Sequence, residues 1–124
     1  MSDVKTDVEA VVDSYFAMWN EEDTATRAQH IECAWATDGR YVDPLLEADG
    51  HGALSEMVAT VHGHYPGHRF ERLSGIDAHH DELRFAWRLF APDGSTTVAG
   101  IDVGHLAPDG RLQRITGFFG DLPE

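Results

Sequence analysis

Apolar positions in the first third of the chain recur at helical spacing. Val4, Val8, Val11, Val12, Tyr15, Phe16 and Trp19 fall three or four residues apart, the pattern of a helix that buries one stripe. Thr6 and Glu9 stand at capping-box spacing, so the helix starts at Thr6 or a turn earlier, and Asn20-Glu21-Glu22-Asp23 closes it in polar residues. Asp23 or Thr24 caps a second helix through Ala25, Ala28, Ile31, Ala34 and Trp35, which the Asp38-Gly39 turn signal ends. Tyr41-Val42-Asp43-Pro44 reads as a short extended segment, because Pro44 disfavours helical geometry at Asp43 and offers no amide to a sheet. Leu54, Met57, Val58 and Val61 mark one face of a third, short helix ended by Gly63 and Pro66.

Beyond that point the period becomes two. Leu83, Phe85, Trp87 and Leu89 alternate with Arg84, Ala86, Arg88 and Phe90, as a half-buried strand requires. Arg69 to Ile76, before a His79-His80-Asp81 turn, supplies another strand, and Thr96 to Leu106 and Arg111 to Phe119 supply two more. Ala91-Pro92-Asp93-Gly94 and Ala107-Pro108-Asp109-Gly110 repeat one turn signal and predict two hairpins. The order predicts an α+β layer structure, an antiparallel sheet folded over helices that cannot bury their stripes alone, with a cavity between. Glycines 100, 104 and 117 inside strands point to bends or to close approach by other groups.

Composition narrows the class. A chain of 124 residues, 42% hydrophobic and 25% charged, is predicted to form a single globular domain. Its formal charge of −13 is the wrong sign for gripping nucleic acid or anionic lipid. The single cysteine, Cys33, has no internal partner, falls on the apparent inner side of the second helix, and fits a reducing, cytoplasmic setting. The amino terminus lacks the basic start and apolar core of a secretion signal, and no apolar run approaches membrane-spanning length.

Several chemistries find no support in the pattern. His62 with His64 and His79 with His80 lack zinc-binding spacing, and solvated surface is the expectation for them. No serine lies in a nucleophile elbow, and Gly50-His51-Gly52 is not a phosphate loop. What stands out is polar groups in apolar settings. Tyr15 shares the buried stripe of the first helix, so its hydroxyl needs a partner or a cavity. Asp102 interrupts the uncharged run Val98 to Gly104, and alternation leaves open whether it faces core or solvent. Asp43 before Pro44 is a turn residue or a carboxylate presented at a rim. Together they suggest enolate chemistry: an ionised Asp43 removes a proton beside a carbonyl while Tyr15 and a protonated Asp102 donate to the resulting oxyanion. Trp19, Met57, Phe70, Phe85, Trp87 and Phe119 are candidates for an apolar lining, with ordinary core packing as the alternative.

Ser14-Tyr15-Phe16-Ala17-Met18-Trp19-Asn20, Tyr41-Val42-Asp43-Pro44, Gly100-Ile101-Asp102 and Phe118-Phe119-Gly120 resemble landmarks of the nuclear transport factor 2-like superfamily, in particular its SnoaL-like and ketosteroid isomerase members. The resemblance spans nearly the whole chain. It implies a cone-shaped fold, three N-terminal helices packed in a curved antiparallel sheet that encloses a pocket. It also implies a cofactor-free isomerase in which Tyr15 donates to the oxyanion, Asp43 shuttles the proton and Asp102 donates as a neutral acid. Met57, Phe85, Trp87 and Phe119 match positions that line the family's steroid pocket. The implied ligand is a small hydrophobic molecule of steroid or polyketide type, and the implied assembly is a homodimer through the sheet face that carries Arg84, Arg88 and Phe90. A polyketide cyclase, a non-catalytic binder of apolar molecules and a protein-interaction domain are the alternatives. The sequence departs from the isomerase pattern at Val58, where the family has a tyrosine bonded to the catalytic one, and at Trp35, which replaces another aromatic.

Overall fold

In the computed structural model, which describes residues 4–123, the helices come early and the strands assemble around them. The elements are α1 (Val4–Asn20), α2 (Thr24–Ala34), β1 (Trp35–Val42), β2 (Glu47–Asp49), α3 (His51–His64), β3 (Arg69–Arg72), β4 (Asp77–His79), β5 (Glu82–Phe90), β6 (Thr96–Leu106) and β7 (Leu112–Phe119). The sheet runs β2-β1-β7-β6-β5-β3, with β4 also on β5, and it is curved and unclosed. The expected α+β cone is therefore present. One junction differs from the antiparallel expectation: β1 pairs with β7 in parallel, because the chain returns to β1's flank only after all the hairpins are made.

Helix α1 is already helical at Val4, so Thr6 lies inside it rather than at its start. Its buried side chains are Val8, Val12, Tyr15, Met18 and Trp19. At its end the Asn20 side chain bonds both ways to the Phe70 backbone, accepting from its amide at 2.8 Å and donating to its carbonyl at 2.9 Å, so α1 is stitched to β3. Asp23 caps α2, accepting from the Thr26 amide at 2.9 Å. Arg27 is the charged residue the pattern did not mark as inner. It is 3% exposed and donates to the carbonyls of Glu21, Glu22 and Ser55, pinning the α1–α2 turn to α3.

The second helix ends at Ala34 and not at Asp38-Gly39. Trp35 is already extended (φ −117°, ψ 138°) and opens β1, whose register on β7 shifts between Trp35 and Arg40. Apolar periodicity missed this, because Trp35 is fully buried and continues the helical stripe of Ile31 and Ala34 into the strand. Gly39 serves a close approach, since a Cβ there would lie 2.5 Å from the Trp35 ring. Cys33 is exposed, contrary to the inner placement expected, because α2 turns Arg27, Ile31 and Ala34 inward instead. The strand expected from Arg69 to Ile76 stops at Arg72, and a separate short strand, β4, follows that range and includes His79, so the turn is His80-Asp81. At the break the Ser74 hydroxyl accepts the Ala86 amide at 2.8 Å in place of a backbone carbonyl. Both Pro-Asp-Gly turns form as expected, each with its glycine at positive φ (Gly94 87°, Gly110 88°), where a Cβ would be strained.

The core lies between the helices and the concave face of the sheet. Leu83, Phe85, Trp87 and Leu89 of β5 face it, as do Leu112 and Ile115 of β7. No helix among the described residues is long and apolar enough to cross a membrane.

Candidate active site

The stripe that makes α1 amphipathic also carries Tyr15 into the interior, where it is 1% exposed. A phenol there needs a hydrogen-bond partner, and the Tyr15 hydroxyl donates to Asp102 Oδ2 at 2.7 Å. Asp102 faces inward: along β6 the buried positions are Gly100, Asp102, Gly104 and Leu106, while Ile101 and Val103 are exposed. This resolves the alternative that alternation left open. The inner neighbours of Asp102 on its own strand are glycines, and the vacated space is used. A Cβ on Gly100 would lie 2.5 Å from the Trp87 ring, so the bare glycine lets the indole lie flat enough for its Nε1 to donate to Asp102 Oδ1 at 3.0 Å.

Burial dominates the electrostatics of Asp102. It pushes the carboxyl up to about 7, the nearby Asp43 charge adds to the rise, and the Tyr15 and Trp87 donors oppose it. Desolvation, then the Asp102 charge, holds the Tyr15 phenol well above its usual range, so Tyr15 keeps its proton.

Asp43 sits where β1 ends. Its Oδ1 accepts the amides of Leu45 and Leu46, each at 2.8 Å, and its own amide donates to the Leu46 carbonyl at 2.9 Å, a closed turn that Pro44 favours. Its Oδ2 accepts the hydroxyl of Tyr41 at 2.6 Å. Asp43 is thus the turn residue, and it also lines a cleft.

Tyr15, Asp43 and Asp102 all line one cleft that is open to solvent at its mouth. Trp19, Phe70, Trp87 and Phe119 line it as well, with ring centroids 5.0 Å apart for Trp19 and Phe70 and 5.8 Å apart for Trp87 and Phe119. Met57 and Phe85, expected in the lining, are not there. Met57 is buried on the α3 face in the core, and the Phe85 ring is taken up by edge contacts with Tyr15 and Phe16. Tyr41, Leu45, Leu46 and Tyr65 line the cleft without having been singled out. For Tyr41 a signal existed: it stands two residues before Asp43, hence on the same side of an extended segment. Among the described residues, no Arg, Lys or His side chain lines the cleft. Of the histidine pairs, His62 bonds the Trp19 carbonyl at 2.7 Å, and His79 and His80 are exposed on the β4 turn.

Counting protons shows what the arrangement can do. With Asp102 neutral, Tyr15 and Asp102 hold two acidic hydrogens. One serves the bond between them and one is left for an oxygen in the cleft. With Asp102 ionised, the Tyr15 hydrogen is committed to the carboxylate and none remains.

No protein-family model matches this sequence, and no curated protein does. Solved structures do match. A protein of Agrobacterium tumefaciens strain C58, named as a candidate isomerase of the SnoaL-like family, is 36% identical over 94% of this chain and 99% of its own, with a TM-score of 0.87. A protein of Sinorhizobium meliloti named as a candidate polyketide cyclase is 18% identical over 86% of this chain and 92% of its own, with a TM-score of 0.68, and shares the fold. A protein of Exiguobacterium described as nuclear transport factor 2-like is 21% identical over 90% of this chain and 99% of its own, with a TM-score of 0.67. With that cone-shaped sheet and that degree of identity along nearly its whole length, the chain belongs to the SnoaL-like family of the nuclear transport factor 2-like superfamily.

Proposed function

We propose that the chain is a cofactor-independent proton-transfer enzyme acting on a hydrophobic carbonyl compound of steroid or polyketide type, in a cytoplasmic setting. The observation that carries this reading is the meeting of a rim carboxylate with a buried phenol and acid pair in one apolar cleft. The Asp43 carboxylate takes a hydrogen from the carbon next to the substrate carbonyl, and the C–H electrons become the carbon–carbon double bond of an enolate. The enolate oxygen accepts the hydrogen that the Tyr15 and neutral Asp102 pair has to spare. Asp43 then returns its proton to a different carbon, which moves the double bond into conjugation, and the enzyme is unchanged. The absence of cationic side chains from the lining suits a neutral substrate.

A second reading rests on the same groups. In a polyketide-type ring closure the enolate carbon attacks another carbonyl of the same molecule instead of being reprotonated, and this is as well supported as isomerisation. Non-catalytic binding of the same compounds is the limiting case.

The test is the isomerisation of a β,γ-unsaturated 3-ketosteroid, followed by the ultraviolet absorbance of the conjugated product. Asp43→Asn is expected to lower kcat by about 10²- to 10⁴-fold with binding retained, and Tyr15→Phe by about 10²- to 10³-fold. Equal turnover in Asp43→Asn overturns the role of Asp43. Steroid binding without turnover by the wild type moves the assignment to ring closure or to binding alone.

A further inference from the structure

Asp43 has more hydrogen bonds than its turn requires. The turn is closed by the Leu45 and Leu46 amides, both on Oδ1, so the bond from Tyr41 constrains only Oδ2, the oxygen that the turn leaves free. Tyr41 is 3% exposed and packs edge-on against Trp19 at 5.4 Å, a position that a phenylalanine ring would fill as well. Its hydroxyl is the part that packing does not explain. Burying that hydroxyl in an aromatic wall is unfavourable unless it is bonded, and the acceptor it finds is the candidate base. Opposite it, β7 has no side chain in the way. A Cβ on Gly117 would lie 3.2 Å from the Tyr41 hydroxyl, 3.1 Å from Asp43 Cβ and 3.0 Å from Asp102 Oδ1, so this glycine is the floor on which all three groups converge.

We propose that Tyr41 is a positioning residue for the proton transfer assigned to Asp43: its phenol fixes the plane of the carboxylate and leaves one lone pair of Oδ2 directed into the cleft. The inference rests on Asp43 being the base. The other titratable groups facing the same space are Asp102 from β6, Tyr15 from α1 and Tyr65 just after α3, and Tyr41→Phe leaves all of them in place.

The experiment is Tyr41→Phe in the full chain with the same ketosteroid, run beside Asp43→Asn. The expected result is a kcat about tenfold lower with a KM within about twofold, the scale of one hydrogen bond to a charged group. A kcat within twofold of wild type overturns the proposal, as does a loss of turnover carried by KM alone or a fall in melting temperature with kcat unchanged. Full turnover in Asp43→Asn overturns the base instead, a distinguishable failure. One readout needs no substrate. The 2.6 Å bond between Tyr41 and Asp43 is expected to give a proton NMR resonance far downfield, lost in Tyr41→Phe while that of the Tyr15–Asp102 pair persists. Absence of that resonance from the wild type overturns the proposal whatever the turnover.

Discussion

Two glycines flank Asp102 on the inner face of β6, and the donors that reach it, Tyr15 and Trp87, come from two other elements. Such a site opposes folding at high pH. The Asp102 carboxyl is held up at about 7 by burial, whereas in the unfolded chain it returns to the ordinary value of 3.8. Between those values the folded state keeps a proton that the unfolded state has lost. Stability contributed by this group is therefore full below about pH 4 and falls as pH rises to about 7, by on the order of 4 kcal/mol across the window. Asp102→Asn removes the titration and keeps a carbonyl oxygen for Trp87 and a donor for the Tyr15 oxygen. The variant is expected to lose less stability than the wild type between pH 4.5 and 7.5 in urea unfolding, and to be the more stable of the two at pH 8. Parallel curves for the two proteins would contradict the raised carboxyl. The sequence made Tyr15, Asp43 and Asp102 legible because each breaks a local pattern. Tyr41 is legible only in part: its spacing of two from Asp43 puts both on one side of an extended segment, but nothing in the sequence says that its hydroxyl ends on the carboxylate.

At the scale of elements, strands were readable wherever one face is buried and the other wet. β5 alternates without exception from Leu83 to Leu89, and the two Pro-Asp-Gly turns fix its neighbours. Reading failed where both faces are covered or where an element is too short to show a period. Trp35 and Ala36 are consecutive and both buried, so β1 begins with no alternation to separate it from α2. β2 has three residues and is held as a hairpin edge, with Arg40 on β1 bonding Asp49 at 2.7 Å and Glu47 at 2.9 Å across the register. Met57 and Phe85 were placed in the lining by type and period, yet both belong to the core, since which side of a buried layer becomes a cleft depends on what packs above it. Gly100 illustrates an element shaped for the site. Gly100→Ala sets a methyl group 2.3 Å from the Phe118 carbonyl oxygen on β7 and 2.5 Å from the Trp87 ring, and is expected to cost at least about 1–3 kcal/mol in denaturant unfolding. It should also lower turnover, because the indole can no longer reach Asp102 undisturbed. A change below about 0.5 kcal/mol would mean that β6 has room that the structure does not show.

The whole molecule presents its helices to one side of the sheet and leaves the other side bare. On that outer face Ile101 and Phe118 are directly paired in register, and Val103 follows on the same strand, all three exposed at 47%, 57% and 39%. Arg84 and Arg88 of β5 are exposed on the same face, and Phe90 is partly buried. We propose a second copy of this chain as the occupant of this face, since contiguous exposed apolar side chains on a sheet are ordinarily covered. Light scattering is expected to give a dimer mass for the wild type and a monomer mass for Phe118→Asp; a wild-type monomer at working concentration would refute it. The cleft lies on the other side of the sheet from this face, so the proposed contact between copies and the proposed chemistry would use different surfaces of β6, the exposed positions for one and Asp102 for the other.

In the proposed reaction an ionised Asp43 moves a proton while a neutral Asp102, with Tyr15, holds the enolate oxygen. The most direct measurement is the pH dependence of ketosteroid isomerisation by the wild type and by Asp43→Asn. Wild-type turnover is expected to decline as pH rises through about 7, the value to which burial pushes the Asp102 carboxyl, and turnover in the variant to be reduced at every pH. Turnover that stays level to pH 9, or that survives intact in Asp43→Asn, would contradict it.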